Sequence, residues 1–193
     1  MRLAIADPPY LGRANRWYGD GRGSSGGRHV ADHHPAARDW DVAETHRDLV
    51  RRLIDEYDGW AIAAAPDSLP VYLGACVGIA PRVMIWHRRN APPSGSRIGS
   101  MWEPVILSIP GGRSANGTGL HVSDVLDESA PRRNFAGSKP SAWTRWVLDA
   151  LGYRPDEDEV HDIFAGSGAV AAASDGMLAL VGADTHVSGH ESP

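Results

Sequence analysis

Two short segments carry residue types that do chemistry once they are held in place. Asp7-Pro8-Pro9-Tyr10 follows the apolar run RLAIA at 2–6. Its two prolines fix the backbone and remove amide donors, which leaves the carbonyls before them free to accept hydrogen bonds from a ligand's amino group. Asp7 adds a carboxylate acceptor, and Tyr10 a flat ring on which a planar base can stack. The second segment, Asp162-Ile163-Phe164-Ala165-Gly166-Ser167-Gly168, runs from an apolar stretch into a glycine turn. Glycines there let a ligand approach the backbone. Amides at the start of a following helix suit a carboxylate, while Asp162 suits an ammonium, so a zwitterionic amino acid satisfies both. Taken singly, each segment also reads as an ordinary turn: a strand-ending Pro-Pro with a surface aromatic, and a simple βα connection.

The hydrophobic pattern supplies the elements that must position these residues. RLAIA reads as a short buried strand that stops at the prolines. Residues 11–38, rich in Gly, Arg, Ser and His, read as a mobile loop. Val42, His46, Leu49, Val50, Leu53, Ile54 and Tyr57 recur at helical spacing and predict an amphipathic helix over 42–57, with Asp39 or Asp41 as its cap. WAIAAA (60–65), PRVMIWHR (81–88) and WEPVILSI (102–109) read as strands, SLPVYLGACVG as a short helix, and HVSDVLDES as an irregular edge segment. Trp143, Trp146, Val147, Ala150 and Leu151 mark a helix over about 141–151, closed by Gly152 and Pro155. VHDIFAGSG (160–168) reads as a strand entering the glycine turn, AVAAAS as a helix, and MLALVGA (177–183) as a last strand. This alternation predicts an α/β fold, a mostly parallel sheet with helices on both faces. Both chemical segments then fall at the carboxyl edge of the sheet, where ligands bind in such folds.

Length and composition bound the rest. At 193 residues the chain is one domain's worth of sequence, and 42% hydrophobic with 22% charged residues excludes fibrous and wholly disordered classes. No apolar run approaches a membrane span, and the opening MRLAIADPPY lacks a signal-peptide core, so a cytoplasmic protein is expected. The single cysteine, Cys76, excludes an intramolecular disulfide and a thiolate zinc cluster and reads as a small core residue. His29, His33 and His34 stand in the loop without carboxylates at ligand spacing, so no metal is expected there. The net charge of −5 is unevenly placed: residues 1–40 and 81–139 are net positive, while 41–80 and 140–193 are net negative. Two arginine-bearing stretches thereby offer a positive face to a polyanion. Lys139 is the only lysine among nineteen basic residues. It reads either as a site that needs a compact ammonium rather than a planar fork, or as an ordinary solvated side chain.

Together the tetrapeptide Asp7-Pro8-Pro9-Tyr10 and the F-x-G-x-G turn Phe164–Gly168 resemble the signatures of the amino-group DNA methyltransferases that use S-adenosylmethionine (SAM). The tetrapeptide comes first and the glycines come late, as in the permuted β group of that family. Gly137-Ser138-Lys139-Pro140, ahead of the Trp143 helix, is similar to that group's K-P pair. The likeness spans nearly the whole chain, and WEPVI (102–106) is similar to stretches of small methylases from actinobacterial phages. It implies a Rossmann-like SAM-dependent methyltransferase sheet of circularly permuted motif order, with SAM as cofactor and DNA as partner. Carried over by position, Asp7 and the carbonyl region of Pro8 and Pro9 would hold an exocyclic amine, and Tyr10 would stack on the extruded base. Phe164, Gly166, Ser167 and Gly168 would shape the cofactor pocket, with Asp162 on the methionine ammonium, Lys139 and Pro140 helping to hold the cofactor, and Asp184 on the ribose hydroxyls. Arg13, Arg16, Arg22 and Arg28 would hold the displaced DNA backbone or remain solvated.

The reaction so implied is methyl transfer to an exocyclic amine of a flipped base without a metal, adenine N6 before cytosine N4. Three rivals stand beside it: methylation of RNA adenine, a SAM-binding subunit or decoy without turnover, and a nucleotide-binding α/β domain whose motifs coincide. The likeness to phage methylases implies a restriction-modification setting. No large insertion is present as a target-recognition domain, so 108–138 is the segment left for that role, and short specificity or a homodimer follows. The strands that usually end the family's sheet are expected to be missing or rebuilt.

Overall fold

The computed structural model describes residues 1–19, 35–91, 97–113, 121–131 and 138–164. Six strands form one sheet: β1 (Arg2–Ala6), β2 (Gly59–Ala63), β3 (Arg82–His87), β4 (Trp102–Ser108), β5 (Val125–Asp127) and β6 (Glu159–Asp162), in the order β5-β3-β4-β2-β1-β6. β1 pairs parallel with β2 and β6, and β3 pairs parallel with β5. β4 is antiparallel to both its neighbours, β2 and β3. One strand therefore runs against five, which fits the expected mostly parallel α/β sheet. The helices are α1 (Ala14–Tyr18), α2 (Ala43–Glu56), α3 (Leu69–Ala75) and α4 (Ser141–Leu151).

Strand alternation divides the core into two layers. Leu3, Ile5, Ala61, Ala63, Val105 and Leu107 face one side, where Trp143, Trp146, Val147, Leu148 and Leu151 of α4 pack on them. Ala4, Ala6, Trp60, Ile62 and Ile106 face the other, under Leu49, Val50 and Leu53 of α2 and Tyr72 of α3. Cys76 belongs to this second layer, its thiol directed at the Tyr72 carbonyl. α4 ends as its sequence predicts. Gly152 takes the left-handed conformation at φ 69 and its amide closes the last turn, a position where a side chain would be strained.

The structure departs from the sequence reading at the segment after the tetrapeptide. Residues 11–38 are not loop throughout: α1 lies inside the segment, and a 3-10 turn, Ala37–Asp41, begins at its end. The cause is a contact distant in sequence. The Asp41 carboxylate accepts the amides of Ala14 (2.8 Å) and Asn15 (3.0 Å), satisfying the first turn of a helix too short to persist alone. Asp41 is therefore the cap of α1 and not of α2, whose N-cap position is held by Val42 without a side-chain bond. Within 108–138, residues 125–127 join the sheet as its edge strand. The glycine turn from Ala165 to Gly168, AVAAAS, MLALVGA, Asp184 and the three loop histidines lie outside the described residues. Among the described residues no helix is long and apolar enough to cross a membrane.

Candidate active site

The carboxyl edge of the sheet gathers the chemistry. β1 delivers Asp7-Pro8-Pro9-Tyr10 there, between the ends of β2 and β6. Because β4 runs backwards, it brings its first residues to the same edge, with Glu103 paired to Trp86 and Trp102 to His87 at the end of β3. Lys139 arrives just before α4, whose N-cap is Pro140. Pro140 has an extended ψ of 151, the non-helical N-cap geometry from which α4 departs.

Four charged groups and one phenol meet at this edge. The Lys139 ammonium donates to both carboxylate oxygens of Asp7 at 2.9 Å and to the Tyr10 hydroxyl at 3.1 Å. The Tyr10 hydroxyl in turn donates to Glu103 Oε2 at 2.5 Å. Glu103 also receives the Arg88 guanidinium, Nη1 to Oε1, at 3.0 Å, and lies 3.5 Å from Lys139 Nζ. The rings of Trp86 and Trp143 stand 5.9 and 5.8 Å from the ammonium, and the centre of the Tyr10 ring, which the ammonium meets through its hydroxyl, stands 5.3 Å away. Two carboxylates thus face two cations. That balance is what allows such groups to be buried at all, since an unpaired buried charge costs several kcal/mol.

Exposure decides which of these groups can meet a ligand. The Lys139 side chain is 6% exposed and that of Glu103 10%, whereas Asp7 keeps 35% of its side chain open. The buried ammonium thus holds both oxygens of an Asp7 side chain that keeps about a third of its surface open. Burial raises the Asp7 pKa above 3.8, with Lys139 pulling it back and Glu103 adding to the rise. Burial works against the Lys139 ammonium, but Asp7 and Glu103 outweigh it and hold that pKa above 10.5. Tyr10 is raised well above 10, by burial first and then by Glu103 and Asp7, so it remains a neutral donor at any working pH.

The other sequence-predicted residues lie around this centre. Asp162 ends β6 beside Ile5, is partly buried, and accepts the Phe164 amide at 3.2 Å. Burial raises its pKa, the Phe164 amide lowers it, and the Asp7 charge raises it again. Phe164 packs edge-on against Trp40, ring centres 4.9 Å apart. An open cavity of about 310 Å³ lies beside that pair, walled by Leu49 and Arg52 of α2, and none of Asp7, Tyr10, Glu103 or Lys139 lines it. Arg13 is tied to Asp67 at 2.9 Å, and the Arg16 guanidinium rests over its neighbour Trp17. Arg22, Arg28, Gly166, Ser167, Gly168 and Asp184 lie outside the described residues.

No protein-family model matches the chain, and no curated protein matches its sequence. Solved structures do match. M1.HpyAVI in complex with SAM aligns over 91% of this chain and 77% of its own, with a TM-score of 0.60 at 14% identity. The chain shares that fold. A weaker likeness, TM-score 0.49 at 16% identity, covers 90% of this chain and 75% of TTHA0409 of Thermus thermophilus, provisionally described as a DNA modification methylase.

Within this shared fold, sequence reading missed Glu103 and Arg88. Glu103 is the one charged residue inside the apolar run WEPVILSI. A carboxylate within a strand bound for the core is the signal that could have found it, because it persists there only with partners. Lys139 was expected beside a cofactor, and the structure places its ammonium on Asp7.

Proposed function

We propose that this chain transfers a methyl group from SAM to the exocyclic amino group of a base flipped out of DNA, with adenine N6 as the target. The observation that carries the reading is Asp7 itself: a carboxylate at the carboxyl edge of the sheet, backed by a buried ammonium and still partly open, directly after β1. The fold shared with SAM-bound M1.HpyAVI supports the cofactor. The donor set at the end of β6 fits it as well. Asp162 is partly buried and disfavoured as an anion by burial and by Asp7, so an arriving ammonium would relieve it. When bound, SAM supplies a methyl group on a positively charged sulfur.

An aryl amine is a poor nucleophile because its lone pair is delocalised into the ring. Asp7 and the Pro8 carbonyl accept its two N–H protons, favour the pyramidal nitrogen and aim its lone pair along one line. The Tyr10 ring supplies a face for the base, and the Lys139 ammonium keeps Asp7 an acceptor at neutral pH. Glycines 166 and 168, with Phe164, would shape the cofactor pocket, with Pro140 supporting Lys139 at the head of α4. Arg13 and Arg16, on the segment after the tetrapeptide, would meet the DNA backbone.

The test is calorimetric titration of SAM, followed by transfer of labelled methyl from SAM to unmethylated DNA and RNA and analysis of the hydrolysed nucleosides. N6-methyladenine from DNA, abolished by Asp7→Ala with SAM binding retained, is the expected result. N4-methylcytosine or methylated RNA would move the substrate while leaving the chemistry. A folded protein that binds no SAM would overturn the reading.

A further inference from the structure

Glu103 is an expensive residue to keep where it is. A carboxylate 10% exposed on a strand between two others tolerates no slack, and its two oxygens are divided between different tasks. Oε1 takes Arg88, whose other terminal nitrogen donates to the Ser100 carbonyl at 2.6 Å and so anchors the guanidinium to the chain just ahead of β4. Oε2 takes the Tyr10 hydroxyl. That hydroxyl accepts from Lys139 on its other side, so its donor and acceptor directions are both fixed. A ring pinned at the far end by two bonds cannot swing about its Cα–Cβ bond. Glu103 is itself steady, since its register partner on β3, Trp86, is tied through its indole N–H to the Glu128 carbonyl at 2.9 Å, and the carbonyl of the next residue, Pro104, receives the Ala64 amide at 3.0 Å.

We infer that Glu103 is a positioning residue: it fixes the Tyr10 ring so that its face is presented to the target base, while Arg88 holds the other oxygen of Glu103 in place. The inference rests on the methyl-transfer reading and names a part of its machinery that no motif contains. The sheet thereby holds both working ends of the tetrapeptide through one buried node, Asp7 by way of Lys139 and Tyr10 by way of Glu103.

A double-mutant cycle between Tyr10→Phe and Glu103→Ala tests it, read as kcat and KM for unmethylated genomic DNA with SAM affinity by calorimetry. Each single substitution is expected to lower kcat by about tenfold with KM for DNA within about twofold, because ring orientation acts after binding. The double variant is expected to fall no further than about tenfold, because either change alone already frees the ring. Glu103→Ala, which removes the acceptor altogether, should be worse than Glu103→Gln, whose amide oxygen still receives the phenol. Thermal melts identify any variant that has merely unfolded, and Arg88→Gln then serves as the second probe, with the same kcat-only signature expected. Losses that multiply to about a hundredfold in the double variant, or that fall on KM, overturn the inference while the methyl-transfer reading stands. A folded wild type that neither binds SAM nor transfers methyl groups overturns both.

Discussion

The Lys139 ammonium lies 2.9 Å from both oxygens of Asp7, although 132 residues separate them in the chain. The only lysine of the sequence backs the carboxylate that follows β1. Lys139→Met leaves Asp7 and Glu103 facing each other with Arg88 as their one cation, and the proposed methyl transfer should fall by about a hundredfold or more. Removing one partner of a buried pair should also lower stability by about 3 kcal/mol, readable in urea unfolding. Lys139→Arg should rescue little, since a planar fork does not fit among the rings of Tyr10, Trp86 and Trp143.

The pH dependence of the proposed transfer follows from the same pair. Asp7 is raised above 3.8, so it protonates earlier on acidification than an ordinary aspartate, and the rate should rise with pH along a limb centred above that value. Lys139 is held above 10.5 and therefore contributes no alkaline fall below it. In Lys139→Met the acid limb should move to higher pH, because burial and Glu103 remain without the compensating ammonium. Initial rates in constant-ionic-strength buffers check both limbs.

His46 is fully buried, with Nδ1 2.6 Å from the Tyr72 hydroxyl and Nε2 2.7 Å from the Trp40 carbonyl. Burial lowers its pKa below 6.5, and the bond to Trp40 offsets that only in part. The unfolded chain then binds the proton more readily than the folded one, so the stability from this group is complete above about pH 6.5 and is lost as pH falls through the lower folded value. Urea midpoints taken between pH 8 and pH 5 should decline, and the decline should flatten in His46→Gln.

Asp41 holds α1 by the amides of Ala14 and Asn15. Asp41→Ala should destabilise the helix by about 1 kcal/mol and speed hydrogen exchange at those two amides. Tyr18, at the other end of α1, lies close enough to have its pKa raised by burial and by Asp7. A loosened α1 should therefore also raise KM for DNA, with Asp41→Asn intermediate.

Arg113 and Asp158 form a buried pair at the opposite edge of the sheet, beside Met1 at the start of β1. Arg113 is held by Asp158 at 2.9 and 3.0 Å, and the Asp158 side chain is wholly enclosed. Arg113→Ala should cost about 2–3 kcal/mol in unfolding free energy, since Asp158 keeps the Met1 ammonium and the Arg154 amide, while leaving SAM affinity unchanged, which separates fold from site.

How much of this was legible in the sequence differs from element to element. The strands and α4 were legible because alternation and three-and-four spacing are local properties, and Gly152 marks the end of α4 where it falls. The direction of β4 was not legible, since an apolar run reads the same either way, and with it went the arrival of Glu103 at the site edge. α1 escaped notice because its cap is 27 residues away. The tetrapeptide and Lys139 could be read as candidates from residue type. That one backs the other is a tertiary fact which no spacing in the chain encodes.

A chain with a single lysine at this position has a further property. Apart from its terminus it offers amine-directed reagents one target, and that target is enclosed by three rings and held protonated by two carboxylates. Acylation at Lys139 therefore reports on the opening of this one place in the molecule. The same protonation keeps the ε-amino group from competing for an electrophile brought to the Asp7 edge, so the cation that sharpens the carboxylate is itself chemically silent.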